Sequence, residues 1–141
     1  MLIAAGRFDQ AATHCRQPSA GANVSNEPEC LGRVRLGQGR INEAVQILTG
    51  VSNPRYFGNA LGRAGRRQEA EKLAATVATH PFQQALIYAG LGDKDRTFEA
   101  LDRMTAQGPV RIGRALMLPE LALLRGDPRV KALRKKVGLP E

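Results

Sequence analysis

The sequence contains no tryptophan, and aromatic residues make up only 4% of its 141 residues. A hydrophobic core therefore has to be built from alanine and aliphatic side chains, which the 43% of hydrophobic residues supplies. This composition favours closely packed helices. At this length the chain fits one domain that buries most of its apolar surface without cross-links.

Long apolar runs are absent too. The N-terminal stretch MLIAAGRFD has only a short apolar run, and no window approaches the roughly 18 consecutive apolar residues of a membrane-spanning helix. We therefore expect a cytoplasmic protein with no signal peptide and no transmembrane segment.

Cysteine is scarce. Cys15 and Cys30 have no second thiol and no histidine near them at the spacing of a metal site. We expect both to be buried, reduced thiols.

Acidic residues are outnumbered, with 13 Asp and Glu against 21 Lys and Arg, a formal net charge of +8. Acidic peptides, nucleic acid and anionic membranes are all electrostatically suitable partners. The basic residues are dispersed, apart from Arg66-Arg67 and the stretch 134–136, and few aromatic residues are present to stack on bases. Nucleic acid is therefore the less favoured partner.

The chain contains an internal repeat. The segments AGRFDQAATHC, QGRINEAVQIL, AGRRQEAEKLA and LGDKDRTFEAL superpose on Gly6, Gly39, Gly65 and Gly92, which are 33, 26 and 27 residues apart. Apolar residues at helical spacing follow each glycine. A glycine suits the left-handed residue that ends a helix. Each unit is therefore predicted to be a helix, a short turn and a second helix.

The pattern changes after Met104. It breaks at Gly108-Pro109 and at Leu118-Pro119, and it restarts at Asp127, which is predicted to cap a helix beginning at Pro128. The inward face of this last helix is predicted to carry Val130, Leu133 and Val137. A terminal helix with a charged outer face is what a stacked array needs at its end.

The segments LGRVRLGQGRINEAVQIL, FGNALGRAGRRQEAEKLA and ALIYAGLGDKDRTFEAL resemble the tetratricopeptide repeat (TPR) family, over about residues 1–104. The resemblance implies an all-α fold, a right-handed stack of antiparallel helix pairs. It also implies that packing within each pair falls to Gly32, Gly58 and Ala85, then to Ala44, Ala70 and Thr97, then to Leu48, Ala74 and Leu101.

The predicted organisation is one domain, 1–141, with a partial first repeat at 1–17, repeats at about 25–51, 52–79 and 80–106, and a C-terminal capping segment at 109–141. Two spacings are shorter than the family period of about 34 residues. We interpret the chain as the C-terminal portion of a longer bacterial array.

Several motifs resemble catalytic or cofactor sites. Asp93-x-Asp95 fails as a calcium loop because Phe98 and Met104 stand where its glycine and glutamate belong. Asp93 is better explained as a helix cap. The glycine-rich stretches GQGR and GNALGRAG follow no strand. We predict no catalytic residue, no metal and no cofactor.

The remaining candidate function is the recognition of a partner molecule. In the resembled family the first helix of each pair lines a concave groove, where arginine and asparagine side chains bind carboxylates. Arg55, Asn59 and Arg63 share one stripe of such a helix at i, i+4 and i+8, and Arg33 holds the corresponding place in the preceding unit. A solvated basic face without a ligand explains the same stripe.

The sequence thus predicts a non-catalytic protein- or peptide-binding scaffold, the interaction or regulatory end of a larger bacterial protein. Its expected partner is acidic or bears a carboxylate. One alternative is a basic module that binds nucleic acid or an anionic membrane through Arg134, Lys135 and Lys136. The other is a self-association module, a homo-oligomer formed through the partial first unit.

Overall fold

The computed structural model of the chain describes residues 7–16 and 27–140, apart from the side chains of His14 and Arg16. In these ranges there are α-helices and short 3₁₀ helices but no β-strand, so the predicted all-α class is confirmed. The helices are α1 Phe8–Arg16, α2 Glu27–Gly37, α3 Ile41–Leu48, α4 Arg55–Arg63, α5 Arg67–Thr76, α6 Pro81–Gly90, α7 Lys94–Arg103, α8 Pro109–Leu116 and α9 Pro128–Lys136. The 3₁₀ helices are Met104–Gln107 and Pro119–Leu124, and we call the second one the Glu120 segment.

The turns after α2, α4 and α6 share one geometry. Gly39, Gly65 and Gly92 have φ of 78°, 81° and 74°, the left-handed conformation that was predicted for them. In each turn the N–H of the next residue donates to a carbonyl five residues earlier, as in a Schellman motif: Arg40 to Arg35, Arg66 to Leu61 and Asp93 to Tyr88, at 2.9, 3.0 and 3.0 Å. Gly6, on which the first repeat segment superposes, lies outside the described residues.

Two helix starts follow the capping predictions. The side chain of Asp93 accepts a hydrogen bond from the backbone N–H of Arg96 at 3.0 Å, and Asp127 accepts one from Arg129 at 2.9 Å. Asp93 is therefore a helix cap, as expected. The breaks at 108–109, 118–119 and 127–128 each begin a new helix at its proline.

Small residues allow the helices to pack closely. All nine positions that the resemblance assigned to packing are buried. A Cβ atom at Gly32 would lie 2.5 Å from Leu48 Cδ2, so this glycine makes room for the second helix of its own pair, as predicted. Gly58 differs from the prediction, because a Cβ atom there would lie 2.3 Å from Ile87 Cγ1 of α6. Gly58 therefore makes room for the neighbouring pair.

The closest backbone approach joins α4 to α6. A Cβ atom at Gly62 would lie 2.6 Å from the carbonyl carbon of Gly90, and one at Gly90 would lie 2.3 Å from the backbone oxygen of Asn59. Real side chains do not reach such distances, and backbone atoms cannot swing aside. The two helices therefore touch through their main chains.

The two cysteines are joined in a disulfide, so the prediction of reduced thiols is wrong. The Cα atoms of Cys15 and Cys30 are 5.6 Å apart, and the bond connects α1 to α2. Sequence spacing alone could not identify this pairing, because it depends on how the two helices meet. Structural disulfides are rare in most cytoplasmic proteins, so the bond counts against the cytoplasmic expectation, which stays a prediction.

None of the described helices combines the length and apolar character needed to cross a membrane.

Removing the disulfide is expected to destabilise the fold. The bond spans 15 residues of sequence, and closing a loop of that size is worth about 3 kcal/mol, chiefly through the unfolded state. Urea unfolding with and without reductant measures the difference. A variant with both Cys15→Ser and Cys30→Ser should have the lower stability and should not respond to reductant. Equal midpoints for the oxidised and reduced wild type would contradict this expectation.

Adding one methyl group at Gly62 is expected to force α4 and α6 apart. We expect Gly62→Ala to lower the free energy of unfolding by about 2–3 kcal/mol, measured by chemical denaturation. Gly113→Ala in α8 is the matched control, because its Cβ atom would have Leu139 Cδ1 as its nearest neighbour at 3.5 Å. This second change should be neutral or should stabilise by up to about 1 kcal/mol. Similar losses for both variants would refute the backbone contact.

Candidate functional site

The four predicted groove residues lie on α2 and α4, but their surroundings differ. Arg33 and Arg55 each bind a carboxylate of the chain itself. Asn59 is buried between α4 and α6, and Arg63 lies at the exposed end of α4. The structure brings Arg33 and Arg63 to one pocket and places Arg55 in another. Their role in partner binding stays a prediction.

Arg33 forms a two-pronged ion pair with Glu120. Its Nε and Nη2 atoms donate to the two carboxylate oxygens at 2.6 and 3.0 Å, and the Glu120 side chain is only 3% exposed. Burial lowers the pKa of Arg33, but the hydrogen bond and charge of Glu120 outweigh it, and the net pKa is raised. Arg33 is therefore charged, and Glu120 occupies the Nε and Nη2 edge of the guanidinium group that the sequence assigned to a partner.

Two guanidinium groups lie over the ring of Tyr56. The Cζ atoms of Arg33 and Arg55 are 4.5 and 5.0 Å from the centre of its ring, distances at which a cation is attracted to an aromatic face. Arg55 also donates to Glu29 Oε1 from Nη2 at 2.7 Å. Burial raises the pKa of Tyr56, partly offset by the charge of Arg33. Around the Tyr56 ring, α2 and α4 thus bring together two guanidinium groups and one carboxylate.

Asn59 is part of the core. Its side chain is 1% exposed, and Nδ2 donates to the backbone oxygen of Leu86 in α6 at 2.8 Å. Helical spacing correctly put Asn59 on the same stripe as Arg55 and Arg63, but that stripe turns towards α6 at its middle. A partner cannot reach this amide without separating the two helices.

Two pockets adjoin the Glu120 segment. Leu118, just before the segment, lines one of them, and Pro119 and Glu120 line the other. The Glu120 segment is firmly seated, because Leu121 and Leu124 are both almost fully buried. The chain's own C-terminal part therefore contributes to the face that the sequence predicted to be an open groove.

The first pocket, about 310 Å³ in volume, we call the arginine pocket. It is lined by Arg55, Tyr56, Phe82, Met104, Arg111, Arg114, Ala115 and Leu118. Within the described part of the chain, Arg111 and Arg114 have no hydrogen-bonded or ion-paired partner. Both are on α8, and sequence reasoning missed them. Their i, i+3 spacing directly after the helix-starting Pro109 was the available signal.

The second pocket, about 340 Å³, we call the Phe8 pocket. The polar part of its lining is formed by Arg33, Arg63 and Glu120, and the apolar part includes Phe8, Leu36 and Leu123. Burial lowers the pKa of Arg63, and the charge of Glu120 opposes this shift. This pocket is lined by two arginines and a single carboxylate.

The predicted basic patch of α9 is partly neutralised. Lys136 Nζ lies 2.5 Å from Asp102 Oδ1, and Arg134 Nε donates to the backbone oxygen of Pro140 at 2.6 Å. Lys135 is exposed. Binding of nucleic acid or a membrane through these three residues stays a prediction.

In residues 7–16 and 27–140, no group of three or more His, Cys, Asp or Glu side chains is placed so that it could hold a metal ion. Comparison of the chain with protein-family models, with curated proteins and with solved structures found no match.

The Arg33–Glu120 pair is expected to be the most sensitive of the ion pairs on this face. Glu120→Ala leaves a largely buried guanidinium without its carboxylate, and we expect a loss of about 3 kcal/mol in the free energy of unfolding. Glu43→Ala is the control, since Glu43 pairs with Arg40 at 2.6 Å on the exposed surface. That change should cost less than about 1 kcal/mol. Equal shifts of the urea midpoint would show that burial does not distinguish the two pairs.

Proposed function

We propose that this chain is a non-catalytic binding module for acidic peptide segments, built as a TPR-like right-handed stack of helix pairs. Support for the stack comes from its repetition. The pairs α2–α3, α4–α5 and α6–α7 each pack together, α2 and α6 both pack against α4, and the same glycine turn recurs in each pair. The resemblance to TPR arrays, in which such stacks bind peptides, supplies the functional expectation.

The observation that carries the proposal is the surface formed by α8 and the arginine pocket. Val110 and Met117 are 65% and 71% exposed, which is unusual for large apolar side chains in this structure. They share one helical face with Arg114, at i, i+4 and i+7, and Arg111 lies beside them. Exposed apolar side chains next to arginine are typical of protein interaction sites.

The chemistry of this surface favours an acidic partner. Arg111 and Arg114 offer forked donors that match carboxylates, and Arg55 Nε is buried without a hydrogen-bond partner in the described structure. The rings of Tyr56 and Phe82 and the side chain of Met104 give the pocket an apolar floor. A segment that alternates carboxylates with apolar residues would satisfy both parts.

The arginine pocket is poorly equipped for catalysis. Among the described residues that line it, the ionisable groups are three arginines and Tyr56, whose pKa is raised by burial. Arginine stays protonated and cannot act as a base near neutral pH. Recognition of a negative group is the chemistry that this set of side chains supplies.

Neutralising α8 is expected to weaken peptide binding. We expect a variant with Arg111→Gln and Arg114→Gln to bind a fluorescent peptide of alternating glutamate and leucine at least about 10-fold more weakly, since hydrogen bonds between charged groups contribute roughly 1.5–3 kcal/mol each. Fluorescence anisotropy measures the affinity. Added salt should also weaken binding by the wild type.

Two controls distinguish the effect of the arginines on α8 from the effect of the protein's total charge. A variant with Lys72→Gln and Lys131→Gln loses the same two charges from α5 and α9, and it should bind as the wild type does. A peptide with glutamine in place of glutamate should bind weakly. If both double variants lost the same peptide affinity, the loss would be explained by net charge alone and the proposal would be overturned. Light scattering on the wild type over a range of concentrations distinguishes self-association through the partial first unit, because only that alternative predicts a mass above that of a single chain.

A further inference from the structure

The Phe8 pocket is separate from the peptide surface and has its own chemistry. None of the residues that line it also lines the arginine pocket, and its volume of about 340 Å³ is in the range of small-molecule sites. Its lining combines charged and apolar side chains. This combination suits a small ligand with a charged end and an apolar body.

The polar residues that line the Phe8 pocket carry an excess positive charge. Both oxygens of Glu120 accept hydrogen bonds from Arg33, through Nε and Nη2, so the N–H groups on Nη1 of Arg33 are not used by this pair. Arg63 has no hydrogen-bonded or ion-paired partner in residues 7–16 and 27–140. The negative charge of Glu120 nevertheless acts on it and raises its pKa, against the effect of burial. Two guanidinium groups against one carboxylate leave a net charge of about one unit. A ligand with a single negative charge would balance it.

Arg63 lines the pocket from the end of α4, where the residue is exposed. Partial burial lowers its pKa, so its charged form has lost part of its hydration. A carboxylate accepting from Arg63 would supply a compensating interaction, and guanidinium groups bind carboxylates through two parallel hydrogen bonds. Phosphate dianions would overcompensate the charge, so a monocarboxylate fits better.

The apolar part of the lining is built around Phe8. A Cβ atom at Gly37 would lie 2.5 Å from Phe8 Cε1, so the ring of Phe8 packs directly on the α2 backbone at that glycine. The disulfide ties α1, which carries Phe8, to α2. Leu36 and Leu123 continue the apolar surface. The body of the ligand would lie against these three side chains.

We propose that the Phe8 pocket binds a small organic monocarboxylate, with its carboxylate between Arg63 and the unused N–H groups of Arg33 and its apolar body against Phe8. Phenylacetate represents this class of ligand in size and charge. Phenylacetamide is its neutral counterpart and has nearly the same shape. This site does not depend on the proposed peptide binding.

The test is a titration of the whole protein, followed by NMR chemical shifts, with phenylacetate, phenylacetamide and inorganic phosphate. We expect saturable binding of phenylacetate at concentrations up to about 10 mM, with shifts around Phe8 and Arg63, and binding of the other two at least about 10-fold weaker. Arg63→Gln should weaken phenylacetate binding roughly 10- to 100-fold, the loss of one charged hydrogen-bonding group. Arg63→Lys should recover part of it.

Two further variants distinguish the site from general charge and shape. Gly37→Ala displaces the Phe8 ring while leaving every charge in place, and it should weaken phenylacetate binding. Lys72→Gln removes a distant charge and should leave binding unchanged. The proposal fails if phenylacetate does not bind in this range, if phenylacetamide or phosphate binds equally well, or if Arg63→Gln binds as the wild type does. A failed peptide experiment with an intact phenylacetate result would overturn the proposed function alone.

Discussion

The contact of the α4 and α6 main chains at Gly62 and Gly90 is the constraint on which the rest of this face depends. Without side chains at these two positions, the helices come close enough for Asn59 to donate to the Leu86 carbonyl. That bond and the glycine contact fix how far one helix can slide along the other. The starts of α4 and α6 consequently lie side by side. The centre of the Phe82 ring is therefore 5.8 Å from the Cζ atom of Arg55.

The chain's own carboxylates then determine which arginines are left for a partner. Leu121 and Leu124 anchor the Glu120 segment in the core, so Glu120 reaches Arg33 with little freedom to leave. A buried pair of this kind costs desolvation and gains its stability from good geometry and complete hydrogen bonding. Most of the carboxylate-binding capacity expected of Arg33 is therefore used internally, and an external ligand is left with its Nη1 N–H groups and with other guanidinium groups.

The sequence was most informative where interactions are local. The glycine turns, the caps at Asp93 and Asp127 and the proline starts each depend on residues within about five positions of one another, so pattern and propensity predict them. The Arg33–Glu120 pair joins residues 87 positions apart, and nothing in either neighbourhood indicates it. Helical spacing placed Asn59 on the arginine stripe, but spacing cannot tell whether a stripe faces water or another helix. The disulfide was missed for the same reason.

The total charge of +8 is a weaker guide to binding than its distribution. On α9, Lys136 is paired with Asp102, and Arg134 is bonded to the main chain, so much of that basic run is satisfied within the protein. Arg63 and Arg114, by contrast, face pockets with apolar walls and have no carboxylate partner in the described chain. A charge beside a low-dielectric wall acts more strongly on a ligand than the same charge in open water. Binding chemistry should therefore follow these unmatched arginines rather than the most basic stretch of sequence.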